Sequence, residues 1–278
     1  MNDSTANDSA TPRVVVLMAA YDAAGTIAEA ASSILDNTLA ADLLIVDDCS
    51  PQPMADALAG LVATHGERLR VLRMPVNSRQ SSCLNTALFD VLPKGYEFVA
   101  LMDADDIALP QRLAEQVAFL DAHPEVGAVG TWMQTFDETT LEPMYVHRHP
   151  TDDDAIRDAM YFNSAMVHPS MMVRADVFRT MGGYNPALQA AEDYELWRRI
   201  QSRWKLANLP VVLLRYRLSS KGQSMAGRRK QLGIRFRVQL LYFRPSKWRA
   251  WAGLALTLAL FVVPLRALVN FKATMWKE

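Results

Sequence analysis

From Arg13 onward, short continuous apolar runs alternate with stretches whose apolar positions recur at helical spacing. Arg13–Ala19 (RVVVLMA) is unbroken and β-branched, as a strand buried on both faces should be. Ile27, Ala31, Ile34 and Leu35 then fall on one helical face behind a Thr26/Glu29 capping-box spacing. Asp42–Asp47 (DLLIVD) and Leu69–Met74 predict a second and a third strand, Ser81–Val91 a helix, and Glu97–Met102 a fourth strand. Pro110 opens a helix whose apolar face is Leu113, Val117 and Leu120, ending at His123–Pro124. Val126–Trp132 is a fifth strand. This alternation implies an α/β fold, a mostly parallel sheet with helices on both faces. No internal repeat, low-complexity tract or long linker interrupts it.

The second half is less regular. Thr151–Met160 reads as an acidic helix, Ala165–Val173 as a strand, and Asp176–Met181 as a short helix stopped by Gly182–Gly183. A helix over Ala191–Ser202 turns Leu196, Trp197 and Ile200 inward, and Leu209–Leu218 is a further strand. His168 lies within an apolar run, where a hydrogen-bonded core histidine is the expectation.

At 278 residues and half apolar, the chain can bury a sizeable core, which excludes disorder, a collagen-like fold and a polytopic membrane protein. Two cysteines, Cys49 and Cys83, make no disulfide framework and fit a reducing compartment. Met1–Pro12 is polar and lacks a signal-peptide pattern, so a cytoplasmic body is expected. The formal net charge of −1 conceals a division. Residues 1–195 carry 11 basic and 29 acidic side chains, whereas residues 196–278 carry 18 basic side chains and one acid, Glu278. A basic segment of this kind suits an anionic partner, membrane or nucleic acid. Arg228–Arg249 interleaves cations with Phe236, Tyr242, Phe243 and Trp248, and an uncharged run, Ala250–Leu265, follows. That run is shorter than the roughly 20 residues a spanning helix needs. An apolar segment has no role on nucleic acid. The expectation is therefore interfacial attachment to an anionic membrane surface through 228–271, on its cytosolic face, with no nucleic acid.

Ligands of an open parallel sheet bind beyond the carboxyl ends of its strands. Tyr21–Asp22 follow the first strand, Asp47–Asp48 the second, Asn77 the third, and Asp103-Ala104-Asp105-Asp106 the fourth. Crowded carboxylates repel, and a divalent cation compensates them. Hard oxygen donors favour Mg²⁺ or Mn²⁺. Motifs for dinucleotide binding, P-loop nucleotide binding, zinc proteolysis and serine hydrolysis are missing. An acid-held metal on a nucleotide-type sheet without a phosphate-cradling loop suggests nucleoside-diphosphate-sugar chemistry.

The ordered set VVVLMAAYDAAGTIAEAASSILDNT, LLIVDDCS, LMDADDIALPQRLAEQVAFL and GGYN…AEDYELWRRI resembles glycosyltransferase family 2, over roughly Arg13 to Ser224. The resemblance implies a GT-A fold and inverting transfer of a sugar from a nucleotide-sugar donor, usually UDP- or dTDP-linked, to a hydroxyl of a glycan or lipid-linked acceptor. It implies that Tyr21 and Asp48 contact the base. Asp103, Asp105 and Asp106 form the D-x-D region, with Asp105 and Asp106 near the metal. Asp193 is the catalytic base, and Glu192 and Gly183 lie on the acceptor side. Two positions depart from the family pattern. Asn77-Ser78-Arg79 puts a cation where the family often has glycine, and Arg79 either meets the donor phosphates or is solvated. Tyr216-Arg217 is not followed by the histidine the family often carries there.

The expected division is a polar N-terminus (1–12), a GT-A domain (13–224, with donor half 13–132 and acceptor half 133–224) and a basic, apolar helical tail (225–278). Two other readings stand beside it. A sugar nucleotidyltransferase would bring a Gly-rich, cationic loop after the first strand, but Tyr21–Thr26 has only Gly25 and no Lys or Arg. A catalytically silent GT-A scaffold at the membrane would bind no donor.

Overall fold

A computed structural model describes residues 12–188, 190–218 and 228–263. The first elements are β1 (Val14–Ala20), α1 (Ile27–Leu35), β2 (Asp42–Asp47), α2 (Met54–Ala57), α3 (Ala59–His65), β3 (Leu69–Arg73), α4 (Gln80–Val91) and β4 (Phe98–Asp103). Next come β5 (Ile107–Ala108), α5 (Arg112–Ala122), β6 (Val126–Asp137), β7 (Pro143–His147) and α6 (Asp153–Ala159). The rest is β8 (Met172–Arg174), α7 (Ala175–Met181), α8 (Glu192–Ile200), β9 (Lys205–Leu218), α9 (Arg228–Leu241) and α10 (Trp248–Val262).

The strands form one sheet in the order β3-β2-β1-β4-β8-β6-β9-β5, with β7 also paired to β6. Pairing is parallel across β3-β2-β1-β4 and between β6 and β9. The short β8 runs antiparallel to both β4 and β6, and β5 runs antiparallel to β9. The sheet is therefore mixed, and its parallel β3-β2-β1-β4 part is what strand–helix alternation can specify.

Both faces of β1 are buried, which explains its unbroken apolar run. Val14, Val16 and Met18 join Ile27, Ile34 and Leu113 in one core layer. Val15 and Leu17 join Cys83, Leu84, Leu88 and Trp197 in the other. Ile234 and Val238 of α9 belong to that second layer, beside Tyr194 and Trp197 of α8.

Two local expectations are corrected. Ala165–Val173 is a strand only from Met172; His168–Ser170 is a 3-10 turn closed by Ser170 N–H on the Val167 carbonyl (2.9 Å). Pro169 has no N–H for a ladder, and its fixed φ suits the turn. Thr26 precedes α1 but makes no side-chain cap; it donates instead to the Ala104 carbonyl in the loop after β4, and Glu29 pairs with Arg217 of β9. Among the described residues, no helix is long and apolar enough to cross a membrane.

Candidate active site

The loops leaving the carboxyl edge of β1, β2, β3 and β4 bring the acids to one place. After β2, Asp47 is buried and accepts Ser50 N–H (2.9 Å), Met54 N–H (3.2 Å) and Arg73 Nη1 (2.5 Å). Burial alone would raise its pKa, but these partners bring it below the ordinary carboxylate value. Asp47 thus shapes the turn. Asp48 fastens the next loop, its Oδ1 accepting Ser78 N–H (2.6 Å) and its Oδ2 accepting Arg79 N–H (2.8 Å). Arg79 has φ +72° and ψ 163°, a combination almost confined to glycine. Its side chain is exposed and makes no ion pair among the described residues.

Arg79 opens onto the first turn of α4, where successive residues each reach a different acid. Gln80 Nε2 donates to Asp103 Oδ1 (3.1 Å), and a hydrogen bond from Ser81 lowers the pKa of Glu192. The positive end of a helix dipole therefore faces this carboxylate edge.

The Asp103–Asp106 loop is pinned from two sides. Thr26 Oγ1 donates to the Ala104 carbonyl (2.9 Å). Arg217 donates Nε to the Asp105 carbonyl (2.7 Å), its backbone N–H to Asp106 Oδ1 (2.9 Å), and Nη2 to Glu29 (2.6 Å). Burial and the charge of Asp103 push Asp105 up to about 6. Burial, with Asp103 and Asp105, pushes Asp106 well above its ordinary value. Asp106 is 1% exposed, and its Oδ2 has no partner. An orphaned buried carboxylate oxygen on one of two adjacent raised acids is unrelieved negative charge, which fits a hard divalent cation. Asp105 is only partly covered and is the better placed of the two; Asp106 stands behind it. Among the described residues no three His, Cys, Asp or Glu converge into a closed cage, so most of such an ion's shell would be ligand oxygen and water.

Across the site, Glu192 and Asp193 occupy the first turn of α8, entered through Ala191 at φ +51°. Burial raises both pKa values. His168 opposes that shift on each and is itself raised: burial would lower it, but Asp103, Asp193 and Glu192 outweigh burial. Its Nδ1 is 3.7 Å from Asp103 Oδ1, and its Nε2 is 2.8 Å from the Tyr184 hydroxyl. Tyr184 is held to α4 by a reciprocal pair: Asn85 Nδ2 donates to its carbonyl (2.9 Å) and its N–H donates to Asn85 Oδ1 (2.8 Å). A Cβ at Gly183 would come within 2.3 Å of that Asn85 oxygen.

Asp48, Arg79, Asp103, Asp105, Asp106, Glu192 and Asp193 thus share one edge. Tyr21 follows β1 and is 49% exposed, without a hydrogen bond to these groups among the described residues. Gly183 faces Asn85 and Leu88, so its constraint is close packing. Sequence reasoning missed Gln80, Tyr184 and the orientation of His168. The His-Pro pair, which breaks a strand, was the available signal for His168.

A family model described as Glycosyl transferase family 2 matches residues 15–182. The amylovoran biosynthesis glycosyltransferase AmsE of Erwinia amylovora is 31% identical over 196 residues, covering 68% of this chain and 69% of AmsE. Among solved structures, S. aureus TarS 1–349 in complex with UDP-GlcNAc aligns with a TM-score of 0.64 at 17% identity, over 82% of this chain. The match spans 65% of that TarS chain, just under two thirds of its length. The mannosyltransferase PcManGT of Pyrobaculum calidifontis, in complex with GDP-Man and Mn²⁺, aligns with a TM-score of 0.62 at 19% identity. That alignment covers 96% of this chain and 81% of PcManGT.

Proposed function

The chain belongs to glycosyl transferase family 2, and from that premise we propose that it transfers a sugar, with inversion, from a nucleoside-diphosphate donor to an acceptor hydroxyl. The acceptor is a glycan or a lipid-linked sugar of a cell-surface polysaccharide or glycolipid, met at the cytosolic face of a membrane. The carrying observation is the opposition of Asp193, on α8, to the carboxylates that end β4, with α4 bonded to both sides through Gln80 and Ser81.

In this reading Tyr21 and Asp48 meet the base, Asp103 and Asp105 the nucleotide-sugar, and Arg79 the diphosphate at the start of α4. Asp105, backed by Asp106, would hold Mg²⁺ or Mn²⁺, which supplies charge compensation for the diphosphate. Asp193 takes the acceptor hydroxyl proton as that oxygen bonds to the anomeric carbon. The bond from this carbon to the diphosphate oxygen breaks, and its electron pair leaves with the nucleoside diphosphate. Burial suits Asp193 to the task, because a raised pKa makes a carboxylate a stronger base. Glu192 and the Tyr184 loop border the acceptor.

Asp193→Asn should abolish transfer while calorimetric titration still finds donor bound in the presence of Mn²⁺. Turnover that survives this substitution would remove Asp193 from the reaction. Screening UDP-, dTDP- and GDP-sugars by thermal shift identifies the donor. The same screen tests the silent-scaffold reading, which calls for no metal-dependent donor binding at all.

A further inference from the structure

The helix α10 has two unlike faces. Ala250, Gly253 and Thr257 are buried, and a Cβ on Gly253 would meet the Tyr161 carbonyl oxygen at 2.0 Å. That close approach, with Arg235 Nη2 on Thr257 Oγ1 (3.0 Å) and Gln239 Nε2 on the Tyr161 carbonyl (2.9 Å), fixes which side of α10 turns inward. The outward side is apolar and uncovered: Trp248, Trp251, Leu258 and Val262 are 66%, 58%, 52% and 84% exposed. Their spacing of three, seven and four residues makes one continuous stripe. Arg249 is the helix's one charged residue, and it pairs with Asp158 (3.3 Å) on the body.

Exposed cations, Arg244 and Lys247, lie in the turn that leads into the stripe, and Arg237 is exposed on α9. Within this stretch of chain no acid offsets them, since Glu278 is the only one after Glu195; Asp158, from α6, is taken up by Arg249. The charge pattern selects the occupant. A second copy of the chain would set one cationic surface against another. A nucleic acid would use the cations but leave the tryptophans in water. An anionic bilayer satisfies both, because acyl boundary accepts the stripe, headgroups accept the cations, and tryptophan favours that boundary. At 15 residues α10 is only about 22 Å long, too short to span but long enough to lie in the interface.

We propose that the Trp248–Trp251–Leu258–Val262 face of α10 docks the protein in the plane of an anionic lipid surface. This rests on, and sharpens, the membrane-side reading of the acceptor. The connection to the site runs through α9: Tyr242, following α9, donates its hydroxyl to Glu195 of α8 (3.0 Å), and Arg198 of α8 donates to the Tyr242 carbonyl (3.1 Å). The lipid-facing helix is thereby tied to the helix that bears Glu192 and Asp193. A lipid-linked acceptor would approach from that side.

The full chain should co-sediment with vesicles of phosphatidylcholine plus phosphatidylglycerol and bind poorly to phosphatidylcholine alone, with a blue shift of tryptophan emission. Replacing exposed apolar groups by carboxylates, in Leu258→Glu/Val262→Glu, should weaken that binding by about tenfold or more. The melting temperature should not change. Arg244→Ser/Lys247→Ser should weaken it less and flatten its salt dependence. Absence of vesicle binding by the wild-type chain overturns the proposal. Equal binding to both vesicle types, or a dimer that L258E splits, also overturns it. UDP and GDP titrations with Mn²⁺ on the same samples separate the two claims. Nucleotide binding without vesicle binding leaves the transferase reading and removes this one; the reverse result does the opposite.

Discussion

Arg79 is the residue whose backbone and side chain pull in different directions. Its φ of +72° with ψ 163° lies where a Cβ is strained by about 1–3 kcal/mol, and glycine would not be. The strain persists because Asp48 holds both the Ser78 and Arg79 amides. Arg79→Gly should therefore raise the melting temperature while weakening UDP or GDP more than the matching nucleoside. Parallel melts and titrations would show the two effects with opposite signs. Asp193 makes a second residue-level case. Its folded pKa is raised by burial, so the ionised form is disfavoured in the fold and stability declines as pH rises from the ordinary carboxylate range through the raised value. Asp193→Asn should be at least as stable as the wild type at neutral pH despite losing transfer. His168 holds the Asp193 pKa down, so His168→Gln should move the acid limb of the pH–rate profile upward. An unmoved limb would mean that the imidazole does not act on the base. His168 was legible in the sequence only as a polar residue in an apolar run. Its real neighbours, Asp103 and Tyr184, are distant in sequence, and no periodicity encodes them.

At the scale of elements, α4 joins the halves of the site. Arg79, Gln80 and Ser81 reach Asp48, Asp103 and Glu192, and one helical turn later Asn85 holds the Tyr184 backbone. Gly183→Ala should force Asn85 away, breaking this pair and costing about 1–3 kcal/mol for the polar groups left unpaired. Transfer should fall more than nucleotide affinity, because Asp48 is held independently of this pair, by the Ser78 and Arg79 amides before α4. Chemical denaturation and nucleotide titration measure the two losses separately. The same element explains what sequence could reveal. The helix expected over Ser81–Val91 is α4, and β2 has its expected ends, because parallel strands buried on both faces advertise themselves as unbroken apolar runs. What sequence could not reveal is that the first turn of α4 faces three acids, or that Thr26 abandons capping for the loop after β4 and Glu29 for Arg217 of β9. β6 and β9 extend well past their apolar cores because they pair with each other through three register shifts, a tertiary event with no local pattern.

At the scale of the whole molecule, the acidic and basic regions differ in charge but share a core. Ile234 and Val238 are buried with Tyr194 and Trp197, and Leu232 is 7% exposed, so α9 completes the layer that supports α8. Burying three such side chains contributes roughly 5–9 kcal/mol before the entropy of ordering the helix is subtracted. That gross gain rivals the net stability of an ordinary domain. Deleting residues 228–278 should therefore lower the melting temperature and loosen α8, and with it Asp193, rather than release a healthy catalytic domain. The separate division of the chain at 224/225 would be supported by an unchanged melt and full nucleotide binding in the deletion. A destabilised product would instead make α9 part of the catalytic unit and leave α10 as its lipid-facing edge. For the same reason, loss of membrane binding on deletion cannot be assigned to the stripe, whereas L258E/V262E alters only exposed apolar side chains and carries the assignment.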